Sequence, residues 1–384
     1  MLLLLCLGTV YSWSIFRKPI ETLLNVGATE SLLPYTFVLL FYSALMPVTG
    51  FYLNRIGTRR VTMIGGAIVG IGYVLSSFAA NISLLILTYG AIVGTGVGIA
   101  YGVPMVIAAR WFPDRKGLAV GLTVIGFGLS PIVTAPLAKG LIDRYGVQQT
   151  LLILGIAFTV IILLISTMLE LPPSGWKPKG WQVVESNTVC AKLHQSNLLQ
   201  TRSFYGLWVC YAIGTLVGLS AIGISSPVAQ EIIKLDSTLA ASSVSLFALF
   251  NGLSRPLFGW LTDRIQPRYI AVASYVLILI ATILMMNARE GQVMTYLIAF
   301  CIFWFCLGGW LALAPTATLA LFSSENYAQN YGIVFTAYGV GALLGTLTAG
   351  RIRDLFGSYT YVFYPMALLA VIGIAVAIAT LKRE

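Results

Sequence analysis

Apolar residues run along this chain in blocks of about twenty, not in the three-to-four spacing of a surface helix or the alternation of a half-buried strand. A block of that length, at 1.5 Å per residue, is what an α-helix needs to cross roughly 30 Å of hydrocarbon. Twelve blocks can be drawn, over 1–22, 32–54, 61–80, 83–110, 117–141, 149–171, 203–225, 237–261, 269–288, 294–321, 331–353 and 360–381. None shows the ten-residue alternation of a transmembrane barrel. The pattern predicts an all-α membrane protein of twelve transmembrane helices. The apolar start, Met1 to Val10, lacks the basic lead and small-residue cleavage site of a signal peptide, so it reads as part of the first helix.

Composition sharpens this reading. Of 384 residues, 58% are hydrophobic and 9% charged, against about 25% charged in ordinary soluble proteins. A soluble enzyme, a disordered tail and a nucleic-acid-binding module are excluded. The 38 glycines suit helices that pack closely in lipid. The net charge of +10 sits at the ends of the apolar blocks, which points to topology and anionic headgroups, not nucleic acid. With an even number of spans, both termini share a side. Fourteen of the 23 Lys and Arg residues fall on that side, eight on the other, and Arg255 lies inside a span. The positive-inside rule then places both termini in the cytoplasm of a multi-pass plasma-membrane protein, a bacterial inner membrane being the expected one. Cys6, Cys190, Cys210, Cys301 and Cys306 form no CxxC pair, and the single His194 lies in a polar segment. No disulfide, metal site or cofactor is expected.

The longest polar stretch, 172–202, carries Pro172-Pro173 and Lys177-Pro178-Lys179 and divides six spans from six. It is read as a cytoplasmic central loop between bundles 1–171 and 203–384. Landmarks repeat across it. Gly50-Phe-Tyr-Leu-Asn54-Arg55 after span 2 matches Gly259-Trp-Leu-Thr-Asp263-Arg264 after span 8, at an offset of 209. Gly98 and Pro104 match Gly309 and Pro315, and Asp143-Arg-Tyr-Gly146 matches Asp354-Leu-Phe-Gly357, all at an offset of 211. Such a parallel repeat implies two six-helix pseudo-symmetric halves, with a substrate site near the midplane between them.

Gly50 to Arg60 resembles the GxxxDRxGRR loop of the major facilitator superfamily, with Asn54 in place of the Asp and Thr58 in place of an Arg. In that family the loop stabilises one conformation. The resemblance therefore implies a conformational latch at Gly50, Arg55, Asp263 and Arg264, weakened where Asn54 carries no charge. A basic turn obeying the positive-inside rule describes the same residues. Trp111-Phe-Pro-Asp-Arg115-Lys-Gly-Leu-Ala-Val-Gly121, then Gly126, is similar to a signature of the monocarboxylate transporters and the oxalate/formate antiporters. Gly8-Thr-Val-Tyr11-Ser-Trp13 looks more like the microbial branch.

Ionisable groups at membrane depth are costly and mark function. Arg255, in Asn251-Gly-Leu-Ser-Arg255-Pro256, stands about 12 Å of helix before Asp263, and no Asp or Glu lies well inside any span. Its charge calls for an anion, and a guanidinium matches a carboxylate with two N–H groups. The alternative is an arginine bonded to carbonyls that locks helices together. The resembling families carry an essential Arg at this place. Oxalate-carrying relatives have a lysine in span 11 where Tyr338 stands, within Tyr331-Gly-Ile-Val-Phe335-Thr-Ala-Tyr338. One cation and a hydroxyl then suit a small monocarboxylate such as L-lactate or pyruvate. Tyr11, Tyr101, Trp310 and Phe335 are further candidate wall residues, each equally able to be core.

Animal relatives use an Asp four residues before the Arg for proton transfer; here it is Asn251. Two mechanisms stay open: a proton that travels with the carboxylate, or exchange of one anion for another, as in an oxalate/formate-type exchanger. The expectation is a proton-linked secondary transporter of monocarboxylates, not an enzyme, acting as a monomer with protons and membrane lipids as its other partners.

Overall fold

The computed structural model describes residues 1–112, 116–173, 176, 201–322 and 327–381, with side chains at all of them except 47–55, 109, 116–118, 120, 263, 319, 320 and 327–329. The described residues are helical throughout, without strands. The N-terminal group comprises α1 (Leu2–Leu7), α2 (Trp13–Leu24), α3 (Ala28–Ile56), α4 (Thr58–Ser76), α5 (Ile82–Leu85), α6 (Gly94–Trp111) and α7 (Lys116–Ser166). The C-terminal group comprises α8 (Arg202–Glu231), α9 (Ser237–Arg264), α10 (Pro267–Met286), α11 (Val293–Leu321), α12 (Tyr327–Phe356) and α13 (Phe363–Thr380).

Among the described residues, nine segments are long and apolar enough to cross a membrane. One of them, Gly121–Ser166, is 46 residues long. At 1.5 Å per residue it would measure roughly 69 Å as one rod, more than twice a hydrocarbon core. It is instead two helices that meet at Gly146, where φ 78 and ψ 172 break the helix. That backbone conformation suits glycine, which has no Cβ to clash. The nine include neither α4 nor the broken helix Leu2–Leu24.

Helices at the rim present apolar side chains outward. On α10 these are Val276, Ile280 and Ile283; on α13 they are Tyr364, Leu368 and Val371. The spacing of three to four keeps each stripe on one face, as lipid contact requires. Between the two groups, α3 packs along α12 and α7 packs along α9. These two contacts enclose the buried centre. Small residues permit it. A Cβ on Gly128 of α7 would stand 2.7 Å from Asn251 Oδ1 and 3.1 Å from the Cα of Gly252 on α9. Gly341 and Gly345 of α12 pack closely too: both lie against α8, at Thr215 and Ser220. Cys6, Cys210, Cys301 and Cys306 are free and buried. Cys190 and His194 lie outside the described residues, as does the rest of the central loop except Pro172, Pro173, Trp176, Thr201 and Arg202.

Candidate functional site

The centre is built around Arg255 on α9, which is 2% exposed. Its Nη1 donates to the carbonyl of Val124 on α7 at 2.9 Å, and its Nη2 donates to Asn251 Oδ1 at 3.0 Å. Its Nε has no hydrogen-bond partner. Among the described residues no carboxylate is paired with it. Asn251 donates through Nδ2 to the carbonyl of Trp304 on α11 at 2.9 Å. One turn of α9 thus fixes the guanidinium, and Asn251 ties that turn to α11. Gly308 makes this approach possible, because a Cβ there would stand 2.1 Å from the Asn251 carbonyl oxygen. One N–H group of Arg255 bonds a carbonyl across the two groups of helices, while Nε has no partner.

Tyr11 reaches the same centre through a local irregularity. Residues Gly8–Ser12 form a 3₁₀ stretch between α1 and α2. Such a stretch inside a longer helix tightens the backbone and changes which side chains face inward. The Tyr11 hydroxyl lies 3.1 Å from the hydroxyl of Tyr338 on α12, and it neighbours Arg255, acting on it through charge and as a hydrogen-bonding group. Phe335 stacks on Tyr338 with ring centroids 5.1 Å apart. Tyr101 meets Tyr42 edge-to-face at 5.0 Å. Phe127 joins both sides, 5.0 Å from Tyr11 and 5.1 Å from Tyr101. Edge-to-face rings set positive edges against negative faces and hold one another in place.

The structure therefore brings together Arg255, Asn251, Tyr11, Tyr101, Phe335 and Tyr338. Trp310 stands apart. Its ring contacts are Tyr211 at 6.3 Å and Tyr275 at 5.4 Å, within the C-terminal group. Sequence reasoning missed Tyr42, Phe127, Trp304 and the Val124 carbonyl. Phe127 carried a signal, since it lies between the close-packing Gly126 and Gly128; a backbone carbonyl carries none.

A second polar cluster lies at the end of the bundle where α2, α8 and α12 meet. The sequence pattern placed Arg17 among end residues, but it is 0% exposed. It donates to Ser31 Oγ at 3.1 Å, Ala28 O at 2.9 Å, Glu21 Oε1 at 3.3 Å and, across the groups, Gly223 O at 3.3 Å. A buried charge is tolerable when its donors are satisfied in this way. Lys18 pairs with Glu231 across the groups, and Arg353 Nε reaches the other oxygen of Glu231 at 2.6 Å. Asp354 on α12 accepts from the backbone N–H groups of Ala28 and Thr29, each at 2.9 Å. It thereby caps the first turn of α3 from the other group. A cavity of about 510 Å³ opens beside this cluster, lined by Lys18, Thr22, Lys139, Ser226 and Gln230 among others.

At the opposite end, Arg264 rests over the Trp260 ring at 4.5 Å. The side chains of Gly50, Arg55 and Asp263 lie outside the described residues, as do Pro113, Asp114 and Arg115 of the span-opening motif.

Apolar-faced helices around a buried arginine and a cluster of aromatic rings suit a membrane protein that handles an anion between its helices. The Major Facilitator Superfamily model matches residues 1–286 and 207–384, and the chain belongs to that superfamily. It is an integral, multi-pass membrane protein. It is similar to an oxalate:formate antiporter of Oxalobacter formigenes, at 28% identity over 99% of this chain and 90% of that protein. It is also similar to human monocarboxylate transporter 14, at 26% identity over 85% of this chain and 78% of that protein. Its fold matches that of a bacterial homologue of the human lysosomal transporter Spinster, solved inward-facing and occupied, with a TM-score of 0.73 at 15% identity over 99% and 96% of the two chains.

Proposed function

We propose that this protein carries a small monocarboxylate of the lactate and pyruvate class by alternating access, with the anion held on Arg255. The single observation that carries the reading is the Nε of a buried arginine left without a partner, among described residues that offer it no carboxylate. Leaving a buried charged donor unpaired is unfavourable, and a bound carboxylate relieves it. The Tyr338 and Tyr11 hydroxyls supply neutral hydrogen bonds to the same carboxylate, and Phe335 covers the substrate's apolar end. A single fixed cation suits one negative charge better than two. Asn251 cannot carry a proton; it positions Arg255.

In this reading the chain crosses the membrane twelve times, in six-helix bundles 1–171 and 203–384, with both termini cytoplasmic. The coupling proton travels with the carboxylate. A second reading, anion exchange without a proton, is favoured by the neutral Asn251 and by the similarity to the oxalate:formate antiporter. Labelled L-lactate uptake into proteoliposomes, with and without an inward proton gradient, tests both against Arg255→Ala. Gradient-stimulated uptake that the substitution abolishes is the expected result. Uptake indifferent to the gradient but stimulated by internal anion selects exchange. Folded protein that takes up no lactate under either condition refutes the substrate class.

A further inference from the structure

Tyr211 holds a second unpaired polar atom at the centre. It sits on α8, is fully buried, and its hydroxyl has no hydrogen-bond partner. Its ring lies 6.3 Å from Phe335, the ring stacked on Tyr338. Arg255, Tyr11 and Tyr101 act electrostatically on it, and the Tyr331 hydroxyl on α12 approaches it as a hydrogen-bonding neighbour without the geometry that would satisfy it. These groups belong to different segments of the fold, so Tyr211 stands where those segments converge. A hydroxyl that loses its bonds to water and gains none in exchange is rare in folded proteins and costs stability. Trp310 also has an unpaired Nε1, but that atom lies 2.4 Å from where a Cβ on Gly214 would stand. The indole therefore fills the space beside Gly214 and backs Tyr211 without sharing its place at the centre.

We propose that Tyr211 is a specificity-determining residue that bonds the second oxygen of the substrate, the 2-hydroxyl or 2-oxo group, while Arg255 holds the carboxylate. The inference rests on the carboxylate reading above. A phenol hydroxyl can donate or accept, so it donates to the carbonyl oxygen of a 2-oxo acid and serves a 2-hydroxy acid in either role. A buried site built to bond a substrate oxygen rejects the analogue that lacks it, because its own polar group is then left unpaired. Propionate is such an analogue: it is lactate without the hydroxyl, with the same carbon chain and charge.

The test compares Tyr211→Phe with the unsubstituted protein in proteoliposomes, measuring kcat/KM for L-lactate, pyruvate and propionate. Phe keeps the ring, so propionate uptake serves as the folding control. The unsubstituted protein is expected to prefer lactate and pyruvate over propionate at least tenfold. Tyr211→Phe is expected to bring both ratios close to one by losing the two oxygenated acids while keeping propionate. Ratios unchanged by the substitution, an equal fall for all three acids, or no preference in the unsubstituted protein each overturn the role of Tyr211. If the unsubstituted protein takes up none of the three, the carboxylate reading fails and this inference with it. If Arg255→Ala abolishes all uptake while Tyr211→Phe changes nothing, this inference fails alone.

Discussion

Glu231→Gln removes the charge that Lys18 meets across the two groups of helices. The substitution keeps the shape and one acceptor oxygen, so it isolates the electrostatic part of the contact. Two unit charges 4 Å apart near a protein surface attract by about 4 kcal/mol before costs. The side chains here are 33% and 20% exposed, so screening and side-chain entropy reduce that figure towards the 0.2–1 kcal/mol typical of exposed pairs. A net of about 1 kcal/mol is a reasonable expectation between those limits, and it corresponds to roughly a fivefold change in an equilibrium constant. The Arg17 bond to Gly223 and the two N–H bonds to Asp354 remain in place. This end of the bundle should therefore loosen without opening completely. The assay is labelling of a single cysteine, Gln230→Cys, by a membrane-impermeant maleimide, with Cys190 replaced. Gln230 lines the cavity beside the cluster, and the four described native cysteines are buried. Labelling should rise about fivefold in Glu231→Gln and by a similar amount in Lys18→Met. The double variant should label less than additively, because both substitutions remove the Lys18–Glu231 contact, while Glu231→Gln also loses the pair with Arg353 inside the C-terminal group. Additive increases, or no increase in either variant, would show that this pair does not hold the end closed.

Further outcomes follow from the central site. Gly128→Ala should cut uptake by an order of magnitude or more, since its Cβ would stand 2.7 Å from Asn251 Oδ1 and 3.2 Å from Arg255 Nε; uptake kinetics and a melting curve separate this from misfolding. Tyr338→Phe breaks the 3.1 Å contact with Tyr11 and, at about 1 kcal/mol for a neutral hydrogen bond, should raise the lactate KM roughly fivefold. Asp236 caps α9, and the N–H groups of Leu239 and Thr238 hold its carboxyl below the usual range. A depressed carboxyl stabilises the fold above its unfolded pKa of about 3.9 and loses that effect as pH falls through the folded value. Asp236→Ala should therefore lower the melting temperature at pH 7 and have less effect near pH 3.

The helices and the buried arginine were legible because membranes impose harsh rules on sequence. A twenty-residue apolar block has few alternatives, and a lone cation inside one stands out. Tyr338 was singled out by the resemblance, which puts a lysine at its place, and Phe335 by lying three residues before it on the same helix face. Arg17 was not, because its burial depends on Ser31, Ala28 and Gly223, none close to it in sequence. Whether Trp310 faces wall or core was not legible for a related reason: the sequence places it beside a repeated glycine, but packing against Tyr211 and Tyr275 decides which way an indole faces. The 3₁₀ stretch Gly8–Ser12, which aims Tyr11, leaves no periodic signal in five residues.

If the protein works by alternating access with an anion on Arg255, as proposed above, the two polar clusters do different work. A ligand shifts a conformational equilibrium only by the difference in its affinity for the two states. The bond from Arg255 to the Val124 carbonyl crosses the two groups at the centre, so it must stretch when they rock apart. A carboxylate on the free Nε draws the guanidinium towards itself and competes with that carbonyl. Occupancy of the site thus weakens a contact that joins the groups at their middle. The Lys18–Glu231 and Asp354 contacts lie at one end and do not touch the ligand. They set the resting bias against which that competition acts. Weakening the end cluster should then raise the fraction of open protein without ligand, while changing Arg255 should remove the ligand's power to alter that fraction. Maleimide labelling of Gln230→Cys with and without lactate separates the two effects: Glu231→Gln should keep a ligand response, and Arg255→Ala should lose it.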